Sequence, residues 1–139
     1  MKIYYWSPFL SRIATVASVI KSIEAIEDYS EKKVDLSIID SVGEWKQIPE
    51  KTKNIKIIKL YKKSIIEKLP RGGFLRSRFT QLVIFFLSFF RLINLLKKDK
   101  PDYLIAHLII SLPLAVMMLI QSKTKLVIRI SGFPKLNIF

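Results

Sequence analysis

The chain has 139 residues, half of them hydrophobic and 12% aromatic, which is enough for one domain with a sizeable core. It has no cysteine and one histidine, so a disulfide framework and a thiol nucleophile are excluded and a histidine-based metal site is disfavoured. Its 24 Lys and Arg residues against 11 Asp and Glu give a net charge of +13. That balance favours an anionic partner: a phosphorylated substrate, an acidic lipid surface or nucleic acid.

The positive charge is unevenly distributed along the chain. Residues 1–40 are close to neutral, whereas the rest of the chain is strongly basic, above all over residues 41–100. This distribution indicates a basic surface on one side of the molecule. No cleavable signal peptide is expected, because the first apolar run, residues 3–6, is short and ends at Ser7-Pro8.

Short β-branched or apolar runs alternate with longer segments of helical periodicity, and turn signals at Pro8, Gly72-Gly73 and Pro101 separate them. The expected elements, in chain order, are a strand at 2–6, a helix at 11–28, strands at 34–39 and 55–60, a helix at 75–98, a strand at 103–107, a helix at 110–121 and a strand at 126–130. Alternation of this kind predicts an open, doubly wound α/β domain with a mostly parallel sheet covered on both faces.

Ligands of doubly wound sheets bind just beyond the carboxyl ends of the strands, which predicts the position of a site. Ser7 follows the first expected strand and His107 ends the fourth. Arg129 lies in an apolar strand, where burial would be costly, so we expect it at the rim of the sheet. Ser131 and Gly132 follow, and the glycine allows the backbone to approach a ligand closely.

Arg71, Arg76 and Arg78 surround the start of the long helix, where the helix dipole is already positive. Cations are unfavourable there unless an anion shares the site, and arginine side chains with free helix-start amides form a good phosphate receptor. The arginines are therefore interpreted either as a contact for a diphosphate or anionic lipid, or as a solvated basic face. His107 likewise has two interpretations: a structural histidine, or a hydrogen-bonding partner for a sugar or phosphate oxygen.

Other signals for catalysis are weak. Asp40 and Glu44 are four residues apart at a strand end, a spacing common in ordinary loops, although a general acid/base pair is the alternative. There is no dinucleotide-binding glycine motif and no P-loop.

The apolar segments also have two interpretations. Residues 79–96 are explained most simply as core packing, with a basic, aromatic-rich helix lying on a bilayer as the functional alternative. Residues 82–96 and 104–120 are each short or interrupted as membrane spans, and we expect buried or interfacial elements there.

Several stretches, taken in order, resemble bacterial family 4 glycosyltransferases of the capsule and lipopolysaccharide type. They are KIYYWSPFL at 2–10 followed by Ala14-Thr15 and Ser18, GEW at 43–45, LPRGGFLRSRF at 69–79, PDYLIAH at 101–107 and RISGFPKLN at 129–137. The resemblance implies a GT-B fold, in which two Rossmann-like domains face a cleft. Residues 1–139 would then be the single amino-terminal, acceptor-side domain, without the carboxyl-terminal domain that binds the donor.

The same resemblance implies which residues face that cleft, and that the family needs no metal or other cofactor beyond its nucleotide-sugar substrate. The implied acceptor-side residues are Ser7, Thr15, His107, Arg129, Ser131 and Gly132. Many relatives carry glycines in the loop after the first strand, whereas residues 7–12 contain none. A close approach of this loop to the donor phosphates is therefore not expected here.

The leading hypothesis is transfer of a sugar from a nucleotide-sugar donor to a lipid-linked glycan, in the synthesis of a surface polysaccharide. The enzyme would lie peripherally on the inner face of the bacterial cytoplasmic membrane, with Arg71, Arg76 and Arg78 on the acceptor diphosphate or on anionic headgroups. We expect the chain to be inactive without a donor domain. The alternative is a non-catalytic membrane protein in which 82–96 and 104–120 form a helical hairpin. Nucleic-acid binding is disfavoured, because no binding motif is present and the aromatic residues lie in apolar runs.

Overall fold

The structure, a computed structural model, describes residues 1–10, 14–31, 33–47, 55–70 and 72–130. The expected elements form within this part of the chain, with ends shifted by a few residues at most. They are β1 (Lys2–Trp6), α1 (Ala14–Tyr29), β2 (Asp35–Asp40), β3 (Lys56–Lys59), α2 (Phe74–Asp99), β4 (Tyr103–Ala106), α3 (Ser111–Ile120) and β5 (Lys125–Ile128). Residues 11–13, where the first helix was predicted to begin, lie outside the described residues.

The strands form one open sheet in the order β3-β2-β1-β4-β5, and every neighbouring pair is parallel. β1 lies at the centre, with Tyr4 aligned with Ser37 of β2 on one side and with Leu104 of β4 on the other. The chain leaves β1 towards β2 and β3, and then returns to the other side of β1 to form β4 and β5. The prediction of an open, parallel, Rossmann-like α/β sheet is therefore confirmed.

Helices cover both faces of the sheet because side chains alternate along each buried strand. Ile3 and Tyr5 of β1 face α1 and pack with its Val19 and Ile23. The intervening residues of β1 point to the opposite face, where a second core contains side chains of α2 and α3. That core includes Tyr4, Trp6, Leu92, Leu96, Leu104, Leu112 and Val116.

Only one side of α2 belongs to the core. Thr80, Ile84, Ser88, Leu92 and Leu96 are buried, and their spacing of four residues places them along one side of the helix. The opposite side carries large apolar residues that are more than half exposed, namely Leu75, Phe79, Leu82, Phe86 and Phe90. We call these five residues the exposed stripe. The interpretation of residues 79–96 as core packing is therefore right for one side of α2 and wrong for the other.

The predicted alternative of a helical hairpin is contradicted by the fold. Residues 103–106 form the strand β4, which pairs with both β1 and β5, so residues 104–120 are not one continuous apolar helix, and only Ser111–Ile120 of that segment is helical. In the described part of the chain, α2 is long and apolar enough to cross a membrane by length and composition, with 28% of its apolar window buried. Core helices of soluble proteins meet the same criterion.

Candidate functional site

The candidate site lies where the sheet changes its winding direction, between β1 and β4. Both strands end there at the same edge, and the backbone N–H of His107 donates to the carbonyl of Trp6 at 3.0 Å. On the far side of β4, the N–H of Arg129 donates to the carbonyl of Ala106 at 2.9 Å. Parallel pairing therefore brings Ser7, His107 and Arg129 to one edge, as predicted, at the position where doubly wound sheets bind ligands.

Ser7 and His107 each present a buried polar atom without a partner. Ser7 is completely buried and His107 is 9% exposed. Among the described residues, neither the Ser7 hydroxyl nor His107 Nε2 has a hydrogen-bond partner. An unsatisfied buried polar group costs about 1–3 kcal/mol, so two of them at the ends of adjacent strands are suited to binding a polar ligand or water.

His107 is held in its neutral form. Burial lowers its pKa to about 4, and the nearby positive charge of Arg129 lowers it further in the same direction. Its ring lies 6.0 Å from that of Tyr5, whose hydroxyl is 3.0 Å from Ser22 Oγ. Burial raises the pKa of Tyr5, so that phenol also stays neutral. At neutral pH the ends of β1 and β4 therefore offer an uncharged imidazole and an uncharged phenol near the guanidinium of Arg129.

A cleft of about 740 Å³ lies at the same edge of the sheet, between the loops after β1 and β4 and the first half of α2. Ser7, His107 and Arg129 are not among its lining residues. Its apolar wall includes Phe9, Leu82, Phe85 and Ile109. Polar side chains also line the cleft, namely Thr15, Ser77, Arg78, Gln81 and Ser111. Thr15 and Arg78 were predicted from the sequence. Ser77, Gln81 and Ser111 were missed, because the cleft is lined by residues from separate segments that form no recognisable sequence motif.

The arginines at the start of α2 do not act as one group. Arg76 and Arg78 are both exposed, but residues two positions apart on a helix point in different directions. Only Arg78 lines the cleft, with its guanidinium carbon 5.2 Å from the Phe74 ring centre and Nη1 3.5 Å from Gln81 Oε1. Arg71, Ser131 and Gly132, which were predicted to share the site, lie outside the described residues.

Asp40 and Glu44 form a buried carboxyl pair that the spacing in the sequence did not favour. They are 2% and 5% exposed. Asp40 accepts hydrogen bonds from the N–H groups of Gly43 and Trp45, and Glu44 accepts from those of Ser41 and Val42. Burial raises the pKa of Glu44 to about 8, and the charge of Asp40 and a hydrogen bond with it contribute in the same direction. Glu44 therefore holds its proton at neutral pH.

The signal for this pair was the turn itself. Gly43 has a φ of +98°, and a Cβ at this position would overlap Ser64 Oγ. A glycine three residues after a strand-ending aspartate marks a tight turn, in which the aspartate caps the following N–H groups. Burial of the second carboxyl group follows from how this turn packs against Ser64, which the sequence does not reveal.

A larger cavity, of about 990 Å³, lies at the opposite edge of the sheet, around Tyr103, Gln121 and Lys125. This edge holds the amino ends of the strands, where doubly wound sheets do not usually bind ligands. The unpartnered atoms of Ser7 and His107 lie at the other edge. We therefore place the candidate site in the smaller cleft.

Comparison of the chain with protein-family models, curated proteins and solved structures finds no match. The described residues contain no group of three or more His, Asp or Glu side chains arranged to hold a metal ion. The class of protein that the fold defines is thus an α/β protein with an open, parallel, Rossmann-like sheet.

Proposed function

We propose that this chain is the acceptor-side half of a GT-B glycosyltransferase that transfers a sugar to a lipid-linked glycan. The observation that carries the proposal is the cleft at the winding change of the sheet, where Thr15 and Arg78 meet an apolar wall. A lipid-linked acceptor requires both kinds of surface, since its sugars need hydrogen bonds and its lipid needs an apolar path. Leu82 belongs both to this wall and to the exposed stripe, so the two apolar surfaces are continuous.

In this proposal, the polar groups of the site hold the acceptor glycan. Thr15, Gln81 and Arg78 donate hydrogen bonds to sugar oxygens or to the anionic linkage. Neutral His107 and the hydroxyl of Ser7 bind the sugar hydroxyls that reach the strand ends. Because the pKa of His107 is lowered to about 4, it is not a proton donor in its imidazolium form at neutral pH.

The donor nucleotide sugar belongs, in this family, to the facing carboxyl-terminal domain. We propose that its sugar meets the acceptor at the same edge of the sheet, near Arg129. Arg129 is exposed, and its Nη1 lies 3.4 Å from the carbonyl of Ser18. A guanidinium at this position would stabilise negative charge that develops on the leaving phosphate.

We also propose that α2 lies on the inner surface of an acidic bilayer. The exposed stripe spans residues 75–90 at helical spacing, with side chains that are 57–80% exposed. Arg76 and Arg78 lie at its start, and Lys97 and Lys98 lie in the last turn of the helix. An apolar stripe with cations at both ends matches the chemistry of anionic headgroups around an acyl boundary.

Hydrogen bonds on the buried side of α2, opposite the exposed stripe, favour a helix that lies on a membrane over one that crosses it. Ser88 Oγ lies 2.7 Å from Ser41 Oγ, and the Tyr61 hydroxyl donates to the carbonyl of Leu87 at 2.7 Å. Arg91 donates to the carbonyl of Leu60 at 2.7 Å. A spanning helix would have to leave the sheet and lose these bonds along with its buried apolar contacts.

The experiment is a binding titration with a short-chain prenyl diphosphate carrying one sugar. Arg78→Gln is expected to weaken binding about tenfold, because a charged hydrogen-bond donor is worth roughly 1.5–3 kcal/mol. Arg76→Gln is the matched control, since it removes the same charge from the same helix outside the cleft. Equal loss in both variants, or no binding by the unaltered chain, would refute the proposed acceptor site.

A non-catalytic membrane-associated protein is the second candidate, supported by the length and apolar character of α2. Such a protein would contact the bilayer through α2, as in the first proposal, but would have no glycan-binding site. Binding to acidic vesicles with no response to the sugar-bearing probe would favour it over the glycosyltransferase.

A further inference from the structure

Four lysines surround one small cavity at the carboxyl ends of β2 and β3. The cavity has a volume of about 290 Å³ and is lined by Lys46, Lys59, Lys62 and Lys63, with Asp40, Ser64 and Glu67 among its other residues. We call it the lysine pocket. All four lysines are exposed, and none forms an ion pair with a carboxylate of the described residues. Four unpaired ammonium groups around one cavity repel each other unless an anion lies between them.

The backbone of the lysine pocket is held firmly. The N–H groups of Ile65 and Ile66 both donate to the carbonyl of Val42, at 2.7 and 3.0 Å. The N–H of Leu60 donates to the carbonyl of Asp40 at 2.9 Å. Gly43 lies so close to Ser64 that the two loops meet without space for a side chain. The lysines therefore extend from the end of β3 and from the two loops around it, which these hydrogen bonds hold together.

The charges beneath the pocket leave it net positive. Glu44 holds its proton at neutral pH because burial raises its pKa to about 8, which leaves the carboxylate of Asp40 beneath the pocket. Glu67 adds one more negative charge at the rim. Two negative charges thus face four lysines, and the remaining positive charge matches a doubly charged anion.

An unused hydrogen-bonding group also lines the pocket. Ser64 Oγ is buried and has no hydrogen-bond partner among the described residues. The Tyr61 hydroxyl, by contrast, already donates to Leu87. A hydroxyl donor next to several lysines is a combination that suits phosphate oxygens.

We propose that the lysine pocket binds a diphosphate group. If the proposed function is correct, on which this identification rests, the group is the diphosphate that links the glycan acceptor to its lipid. Arg78 and Thr15 would then be left to bind the sugars. Lysines suit this role because each is a compact point charge on a flexible stem, able to adjust to several phosphate oxygens.

The test is a calorimetric titration of the 139-residue chain with inorganic pyrophosphate at low salt. The variant K59Q/K62Q/K63Q is expected to bind at least about tenfold more weakly than the unaltered chain. The control variant K21Q/K33Q/K123Q loses the same three charges from exposed positions elsewhere and is expected to bind within about twofold of it. Ser64→Ala, which keeps every charge, is expected to weaken binding by a smaller factor.

A similar loss in both triple variants would overturn the proposal, because attraction to overall charge would then explain the binding. Failure of the unaltered chain to bind pyrophosphate would also overturn it. A second experiment identifies the molecule that carries the bound phosphate groups. It compares binding to vesicles that contain a prenyl diphosphate with binding to vesicles that contain phosphatidylglycerol. Preference for the diphosphate lipid that is lost in K59Q/K62Q/K63Q supports the acceptor, and equal binding to both vesicles refutes that identification.

The pyrophosphate titration requires no sugar. It therefore separates this inference from the proposed function. A chain that binds both pyrophosphate and the sugar-bearing probe through the lysine pocket, but binds the probe equally well after Arg78→Gln, would retain the pocket and lose the proposed sugar site in the cleft.

Discussion

Two carboxyl groups, Asp40 and Glu44, control the turn after β2. Each accepts two backbone N–H bonds in a buried position, and burial raises the pKa of Glu44 to about 8. This arrangement satisfies the N–H groups of Ser41, Val42 and Gly43 without leaving two full charges buried. The same turn forms one wall of the lysine pocket, through Asp40, Gly43 and Lys46.

The raised pKa of Glu44 predicts a pH dependence of stability. The ordinary pKa of Glu44 is 4.5, and in the fold it is raised to about 8. Between these values the folded state binds more protons than the unfolded state, so the free energy of unfolding is largest at the acidic end and falls as the pH rises towards 8. Glu44→Gln removes this titration and is expected to flatten the profile by about 1–3 kcal/mol between pH 5 and 8.

Denaturant unfolding at several pH values measures this effect. Glu24→Gln is the control, because Glu24 is an exposed carboxylate on α1. Its profile is expected to follow that of the unaltered chain. A Glu44→Gln profile as steep as that of the unaltered chain would contradict the raised pKa of Glu44.

Gly43 is the residue whose replacement is expected to be most damaging at this turn. Its φ of +98° is unfavourable for any L side chain, and an added Cβ would lie 2.7 Å from the Cα of Ser64. Gly43→Ala is therefore expected to reduce the free energy of unfolding by at least about 2 kcal/mol. Gly72→Ala is the control, since nothing lies within 4 Å of its added Cβ, and it is expected to change stability by under about 0.5 kcal/mol. Similar stability of the two variants in thermal unfolding would refute the close approach.

At the scale of elements, α2 shows where periodicity alone was insufficient. Its apolar residues occur on both sides of the helix, so the sequence predicted its length and its lysine-rich end but not which side would be buried. Small polar residues, Thr80 and Ser88, lie on the buried side and bond to other parts of the chain. Phe86 and Phe90, which are more hydrophobic, are 70% and 72% exposed. Hydrophobicity therefore favours the wrong side at these positions.

The exposed stripe gives the prediction for this element. Phe86→Ser is expected to weaken binding to acidic vesicles about tenfold, because burying a phenylalanine contributes roughly 1.5–3 kcal/mol. Stability is expected to stay nearly unchanged, since the side chain is 70% exposed in the fold.

Tyr29→Ser is the matched control for the stripe. Tyr29 is an aromatic residue that is 88% exposed at the end of α1, and α1 covers the other face of the sheet. Vesicle binding by this variant is expected to equal that of the unaltered chain. If Phe86→Ser co-sediments with vesicles as well as Tyr29→Ser does, the stripe is not the membrane contact.

At the scale of the whole molecule, the sequence predicted the sheet better than the site. Alternation of apolar strands and amphipathic helices determines an open parallel sheet, and with it the edge to which Ser7, His107 and Arg129 belong. It did not reveal the pairing of Asp40 with Glu44, or the meeting of Lys46 with Lys59. Those contacts depend on how loops fold back, through a positive φ and a few backbone hydrogen bonds.

The proposed sugar-binding site at the winding change is tested most directly by finding which edge of the sheet binds the probe, because each edge holds a cavity. Backbone amide shifts would be recorded by nuclear magnetic resonance while the chain is titrated with the short-chain prenyl diphosphate carrying one sugar. We predict that the shifts cluster at the carboxyl ends of the strands, around Thr15, Gln81 and His107. Shifts confined to the larger cavity, around Tyr103 and Gln121, would contradict a sugar-binding site at the winding change of the sheet.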